Sequence, residues 1–118
     1  MPAEGGYLNT APRGTAFAAL DAMIRPRSVA VIGASDDATR IGGRPIAYMK
    51  DQGFAGAILP VNPNRATVQG LPAFTSVSAL TAVPDVAIVA VPGESAVQAV
   101  ADLGAKGCRA AIVFTAGF

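Results

Sequence analysis

Four short apolar runs punctuate the chain, at residues 28–33, 57–61, 85–91 and 109–114. None carries a charge beyond its first residue, and Val and Ile recur in each. A continuous apolar run, as opposed to strict alternation, is what a strand buried on both faces of a parallel sheet requires. Between the runs the apolar positions recur at helical spacing. Pro45, Ile46, Met49 and Lys50 fit a helix that starts near Pro45 and ends by Gly53. A longer helix is predicted from Pro92-Gly93-Glu94 to Lys106, with Val97, Val100, Ala101 and Gly104 on its buried face and Gly107 just past its end. Residues 67–74 read as a small extended excursion, and Ser76 opens a short helix to Leu80 that Pro84 closes. Ahead of the first strand, Thr15 caps a helix through Ile24, with Phe17 and Leu20 at helical spacing, and Pro26 stops it.

This order of elements specifies a doubly wound α/β fold, a parallel sheet covered by helices on both faces. The expected division is a flexible leader over 1–15 and one Rossmann-like domain over 16–118. No helix follows the fourth strand to cover its face, so the chain reads as truncated from something longer.

Composition narrows the chemistry. Hydrophobic residues make up 52% of the 118 positions and charged ones 14%, which favours a packed domain over a coiled coil. A net charge of +1 points away from nucleic acid or an anionic membrane as the main partner. No apolar run reaches the ~18 residues of a membrane span. The single cysteine, Cys108, excludes an internal disulfide and fits a reducing, cytoplasmic setting; it is expected to pack as a small apolar residue. With no histidine, a Ser-His-Asp site, a His-ligated zinc and a phosphohistidine within this chain are all excluded. Tyr48 and Phe54 read as core or cleft-wall residues.

In an open α/β sheet, ligands bind outside the carboxyl ends of the strands, where strand order reverses. That rule selects the segments 33–43, 62–65, 92–95 and 115–117. In the first, Gly33 permits a tight turn and Gly42-Gly43 opens a helix whose N-terminus suits a phosphate, with Arg40 and Arg44 adding charge. The spacing is not the G-x-G-x-x-G of a dinucleotide fingerprint, nor is there a Walker A Lys followed by Ser or Thr. An NAD ribose calls for an acid at the end of the second strand, yet that strand runs into Asn62-Pro63-Asn64-Arg65, with no carboxylate between Asp51 and Asp85. Arg65 there would receive a phosphate on a ribose, the 2′-phosphate of NADP or the 3′-phosphate of coenzyme A, and Asn62 is placed to hydrogen-bond a nucleoside.

Several stretches in order carry a family resemblance: Pro26-Arg-Ser-Val-Ala-Val-Ile-Gly-Ala-Ser35, Gly53-Phe-Ala-Gly56, Pro60-Val-Asn-Pro63, Val68-Gln-Gly70, Pro84-Asp85, Val91-Pro92, Lys106-Gly107 and Ala116-Gly-Phe118. Over about residues 20–118 the sequence resembles the N-terminal coenzyme A-binding domain of NDP-forming acyl-CoA synthetases. These include ADP-forming acetyl-CoA synthetase and, more distantly, the alpha subunit of succinyl-CoA synthetase. The resemblance implies that Gly33, Ala34, Ser35 and Asp36 hold the phosphate-bearing portion of the coenzyme and that Arg65 is the basic residue after the second strand. Val91, Pro92, Thr115, Ala116 and Gly117 would border the pantetheine arm. It further implies a ligase that makes an acyl-CoA through an acyl phosphate, with ATP or ADP, Mg and a phosphohistidine handled by domains absent from this chain. The expected partners are coenzyme A and downstream synthetase domains or a subunit, with a homo-oligomer as a further expectation. The alternatives are an NAD(P)-binding fragment of an oxidoreductase or redox sensor, and a stand-alone regulatory module that binds coenzyme A.

Overall fold

The uncharged segment Ser28-Val-Ala-Val-Ile32 forms the central strand β1 (Ser28–Ile32), because both of its faces meet apolar layers. The computed structural model describes residues 26–114. After β1 come helix α1 (Arg44–Asp51), strand β2 (Ala57–Val61), and the two-residue strands β3 (Thr67–Val68) and β4 (Leu71–Pro72). Strand β5 (Val86–Val89), helix α2 (Gly93–Lys106) and strand β6 (Ala110–Val113) complete the order.

Four strands make one parallel sheet in the order β2-β1-β5-β6. The register pairs Ile32 with Val61 on one side and with Val89 on the other, so the three strands end level. Beyond β5, Val89 pairs with Val113 of β6. From β1 the chain moves outward to β2, then returns across β1 to build β5 and β6. Strand order therefore reverses between β1 and β5, and the crevice at their carboxyl ends is where such a sheet opens to a ligand.

Side-chain alternation along β1 feeds two separate cores. Val29 and Val31 face α1 and pack in one buried cluster with Ile46 and Val68, while Ala30 and Ile32 pack on the other face with Ala96, Ala99 and Leu103 of α2. The doubly wound α/β architecture is the one the hydrophobic pattern specifies. At the β2 edge, Phe74 forms a parallel bridge to Val61 and its N–H donates to the Pro60 carbonyl (2.8 Å), which covers the rim of the sheet. Pro60, with no N–H of its own, is tolerated because β2 is the outermost strand.

Three expectations need correction. The predicted inner face of α2 is its outer one: Val97 is 72% exposed and Val100 41%, whereas Ala96, Ala99 and Leu103 are buried. Both stripes are apolar, and the small alanines let the helix approach the small residues Ala30 and Ala87 of the sheet. Residues 76–80 form turns and not a helix. Only Ala79 N–H to Ser76 O (3.2 Å) and Leu80 N–H to Val77 O (3.1 Å) close there, and so short a segment cannot repay helix nucleation. Val77 and Leu80 are nonetheless buried in the α2-side core. Tyr48 is 67% exposed, so it is not a core residue, whereas Phe54 packs against the α1-side core. The helix expected over 15–24, the leader, and Thr115, Ala116 and Gly117 lie outside the described residues.

Candidate nucleotide site at the sheet rim

Gly33 takes the chain out of β1 at φ +83°, and a Cβ built on it would stand 2.7 Å from the Ala90 carbonyl oxygen. Only glycine lets the exits of β1 and β5 come this close, so the floor of the reversal crevice is backbone. The N–H groups of Gly33 and Ala34 both donate to the Val61 carbonyl (3.1 Å each), which ties the loop to the end of β2.

The loop then folds on itself. Gly42 lies so close to the Gly33 carbonyl, and Gly43 to that of Asp37, that neither position has room for a Cβ. This pair of glycines serves packing of the loop. The Gly43 and Arg44 N–H groups donate to the Arg40 carbonyl (3.0 and 2.9 Å), and Pro45 has none to offer. The Arg44 Nε is likewise spent on the Thr39 carbonyl (3.0 Å). Asp37 accepts from the Thr39 hydroxyl (2.6 Å) and the Thr39 N–H (2.9 Å). The Thr39 hydroxyl above all, then its N–H, with a smaller contribution from Arg40, hold the Asp37 carboxyl below its ordinary range.

An open pocket of about 580 Å³ lies against this loop, lined by Gly33, Ala34, Ser35, Asp36, Asn62 and Arg65 among others. Six of the residues singled out in the sequence thus converge on one cavity. Pro63 and Val91 line a neighbouring cleft of about 290 Å³ on the α2 side, and Gly33 borders both spaces. Pro92 is exposed and stands at the N-cap of α2, where no side chain caps the helix. Asp37, Arg40, Ile41, Gly42 and Ala90 also face the larger pocket, outside the set of coenzyme-binding residues read from sequence.

Several assigned side chains are already engaged. The Asn62 side chain donates from Nδ2 to the Ala34 carbonyl (2.9 Å) and accepts the Asn64 N–H at Oδ1 (2.8 Å), so it fastens the loops after β1 and β2 to each other. Asp36 accepts the Gln69 N–H at Oδ1 (2.6 Å) and pairs through Oδ2 with the Arg65 guanidinium (2.6 Å). The Arg65 side chain remains 57% exposed, and a planar guanidinium engaged through one nitrogen keeps further donors for phosphate oxygens. Gln69 was not singled out from sequence as a functional residue. The signal was faint: a polar residue ahead of Gly70 in a short turn.

Among the described residues, no group of three or more His, Cys, Asp and Glu side chains gathers where a metal ion could sit. Cys108 is half-buried against the α2-side core, and burial pushes its thiol up from its ordinary value. No described helix is long and apolar enough to cross a membrane.

Comparison with known proteins adds a second line of observation. A family model described as a CoA binding domain matches residues 27–118. The chain is 38% identical over 100 residues to the alpha subunit of an ADP-forming acetate–CoA ligase II from Pyrococcus furiosus, a match covering 84% of this chain and 21% of that subunit. To a trans-feruloyl-CoA synthase from an unknown prokaryotic organism it is 37% identical over 99 residues, 84% of this chain and 14% of the synthase. The dinucleotide forming acetyl-coenzyme A synthetase 1 of Ca. Korarchaeum cryptofilum, solved in complex with phosphate and ADP, shares its fold. That match has a TM-score of 0.78 and 33% identity, over 84% of this chain and 21% of that one. The chain spans between 14% and 21% of the length of these two curated relatives.

Proposed function

Because this chain belongs to the CoA binding domain family, whose model spans residues 27–118, we propose that coenzyme A lies across the rim of the sheet with its 3′-phosphate on Arg65. The observation that carries this reading is the position of Arg65. It lines the pocket beside Asn62, at the end of β2, where an NAD site would place a carboxylate for the ribose. Gly33, Ala34, Ser35 and Asp36 border the phosphate-bearing portion, and Asn62 with Pro63 borders the nucleoside. Val91 and Pro92, with Thr115, Ala116 and Gly117, border the pantetheine arm.

In a longer polypeptide or a complex, this domain presents the coenzyme thiol to an acyl phosphate, as part of an NDP-forming acid–CoA ligase. The identity with an ADP-forming acetate–CoA ligase subunit supports that role. ATP or ADP, Mg and the phosphoryl-carrying histidine belong to other domains, since this chain has no histidine. The role read for the pocket is binding, and its carboxylates Asp36 and Asp37 both accept hydrogen bonds that organise the loop. The partners are then coenzyme A and the remaining synthetase domains or subunit, in a cytoplasmic setting. Neither the NAD(P) reading nor the stand-alone regulatory module is favoured by the family match or the relatives.

Thermal melting tests the ligand. At about 100 times its dissociation constant, coenzyme A should add about 2.7 kcal/mol of stability and raise the melting temperature. NAD should leave it unchanged. The reverse pattern would overturn the assignment.

A further inference from the structure

The turn between β3 and β4 consists of Gln69 and Gly70, with φ +49° and +79°. Positive φ at both central residues is what a two-residue type I′ turn demands, and Asn-Gly, Asp-Gly and Gly-Gly are the pairs that meet it without strain. Gln69 is the only non-glycine residue with positive φ among the described residues, and its long side chain gains nothing from the turn itself. What it gains lies across the molecule. Its Nε2 donates to the Ser35 carbonyl and to the Gly43 carbonyl, each at 2.9 Å, so both amide hydrogens are used. Its backbone N–H donates to Asp36 Oδ1 (2.6 Å), and its carbonyl accepts from Lys50 Nζ of α1 (2.6 Å). Val68, beside it, is fully buried in the α1-side core and anchors the hairpin in place.

We propose that Gln69 is the positioning residue of the nucleotide loop: its carboxamide closes the loop by joining Ser35 to Gly43, and its backbone sets the Asp36 carboxylate that holds Arg65. The inference rests on the reading of this rim as the coenzyme site. Residues 34–43 form no strand or helix; beyond the ties of Ala34 to Val61 and Asn62, Ser35 and Gly43 are held together by these bonds and the Ser35 N–H to Gly42 carbonyl bond (3.2 Å). Asn suits the turn better than Gln but is one methylene shorter, too short to reach both carbonyls. Turn strain and loop closure therefore pull in opposite directions at this one position.

Gln69→Asn and Gln69→Gly separate the two effects, because each relieves the turn and keeps the backbone bonds to Asp36 and Lys50. In the full 118-residue chain, both variants should melt within a few degrees of the wild type or above it. Amide exchange across residues 35–43, measured without ligand, should nevertheless accelerate about tenfold. Coenzyme A affinity should fall about tenfold. Loop exchange and affinity within twofold of wild type in either variant would overturn the proposal. So would an affinity loss that only tracks a falling melting temperature. A wild-type chain that does not bind coenzyme A would instead overturn the functional reading, and the ligand-free exchange measurement would still decide whether Gln69 closes the loop.

Discussion

The Asp36 carboxylate stands 2.6 Å from the Arg65 guanidinium and joins the loops that follow β1 and β2. The two side chains are 42% and 57% exposed, so the pair contributes little to stability, typically below about 1 kcal/mol. Its effect is directional: it holds a flexible arginine over the pocket, with its remaining donors free for an anion.

Arg65→Ala should weaken coenzyme A far more than dephospho-coenzyme A. A hydrogen bond to a charged group is worth about 1.5–3 kcal/mol, which corresponds to roughly ten- to a hundredfold in affinity. Titration calorimetry with the two ligands measures the difference. Equal losses for both would remove the 3′-phosphate from Arg65.

One substitution should act with opposite sign at two glycines. Gly33→Ala places a Cβ 2.7 Å from the Ala90 carbonyl oxygen at φ +83°, which should cost about 2–4 kcal/mol and lower the melting temperature by at least about 10 °C. Gly104 lies inside α2 with nothing within 4 Å of a built Cβ. Gly104→Ala should therefore stabilise by about 0.5–1 kcal/mol. Calorimetric melting of the two variants checks both signs; a tolerated Gly33→Ala would contradict the close approach of β1 and β5.

The Asp37 carboxyl should titrate below its ordinary value, because the Thr39 hydroxyl and N–H favour the charged form. A folded pKa below the unfolded one means that the stabilisation is present above about pH 4 and is lost as pH falls through the lowered value. Carbon-detected NMR titration of Asp37 gives the midpoint directly. Thr39→Val should bring it back toward the ordinary range, and an unchanged midpoint would assign the shift elsewhere.

Much of this fold was legible because the inner strands β1 and β5, buried on both faces, have no polar alternative, whereas β6 is apolar yet exposed at Ile112 and Val113. The run 57–61 coincides with β2, and 28–33 and 109–114 overrun their strands by a residue or two. The C-terminus of α2 was legible in Gly107, which takes the left-handed conformation at φ +98°. The inner face of α2 was not, since Val97 and Val100 are as apolar as Ala96 and Ala99, and only the sheet decides between the stripes. At the site, small residues marked the rim and led to the pocket. The bonds that organise it escaped, because Gln69 meets Ser35 from 34 residues away and Asp36 from 33. Such pairings are settled by where β3 and β4 fold back, which no local pattern encodes. Gly42 and Gly43 were legible as special; the structure shows that they make room for carbonyls, with the Gly43 N–H donating to Arg40.

The central claim is a location, and amide chemical-shift mapping of the ¹⁵N-labelled chain during titration with coenzyme A tests it most directly. The expected result is saturating shifts at Gly33, Ala34, Ser35 and Asp36, at Asn62 and Arg65, and at Val91, with the amides of Val97 and Ile112 unmoved. Shifts centred away from the ends of β1, β2 and β5, or none at millimolar coenzyme, would contradict it.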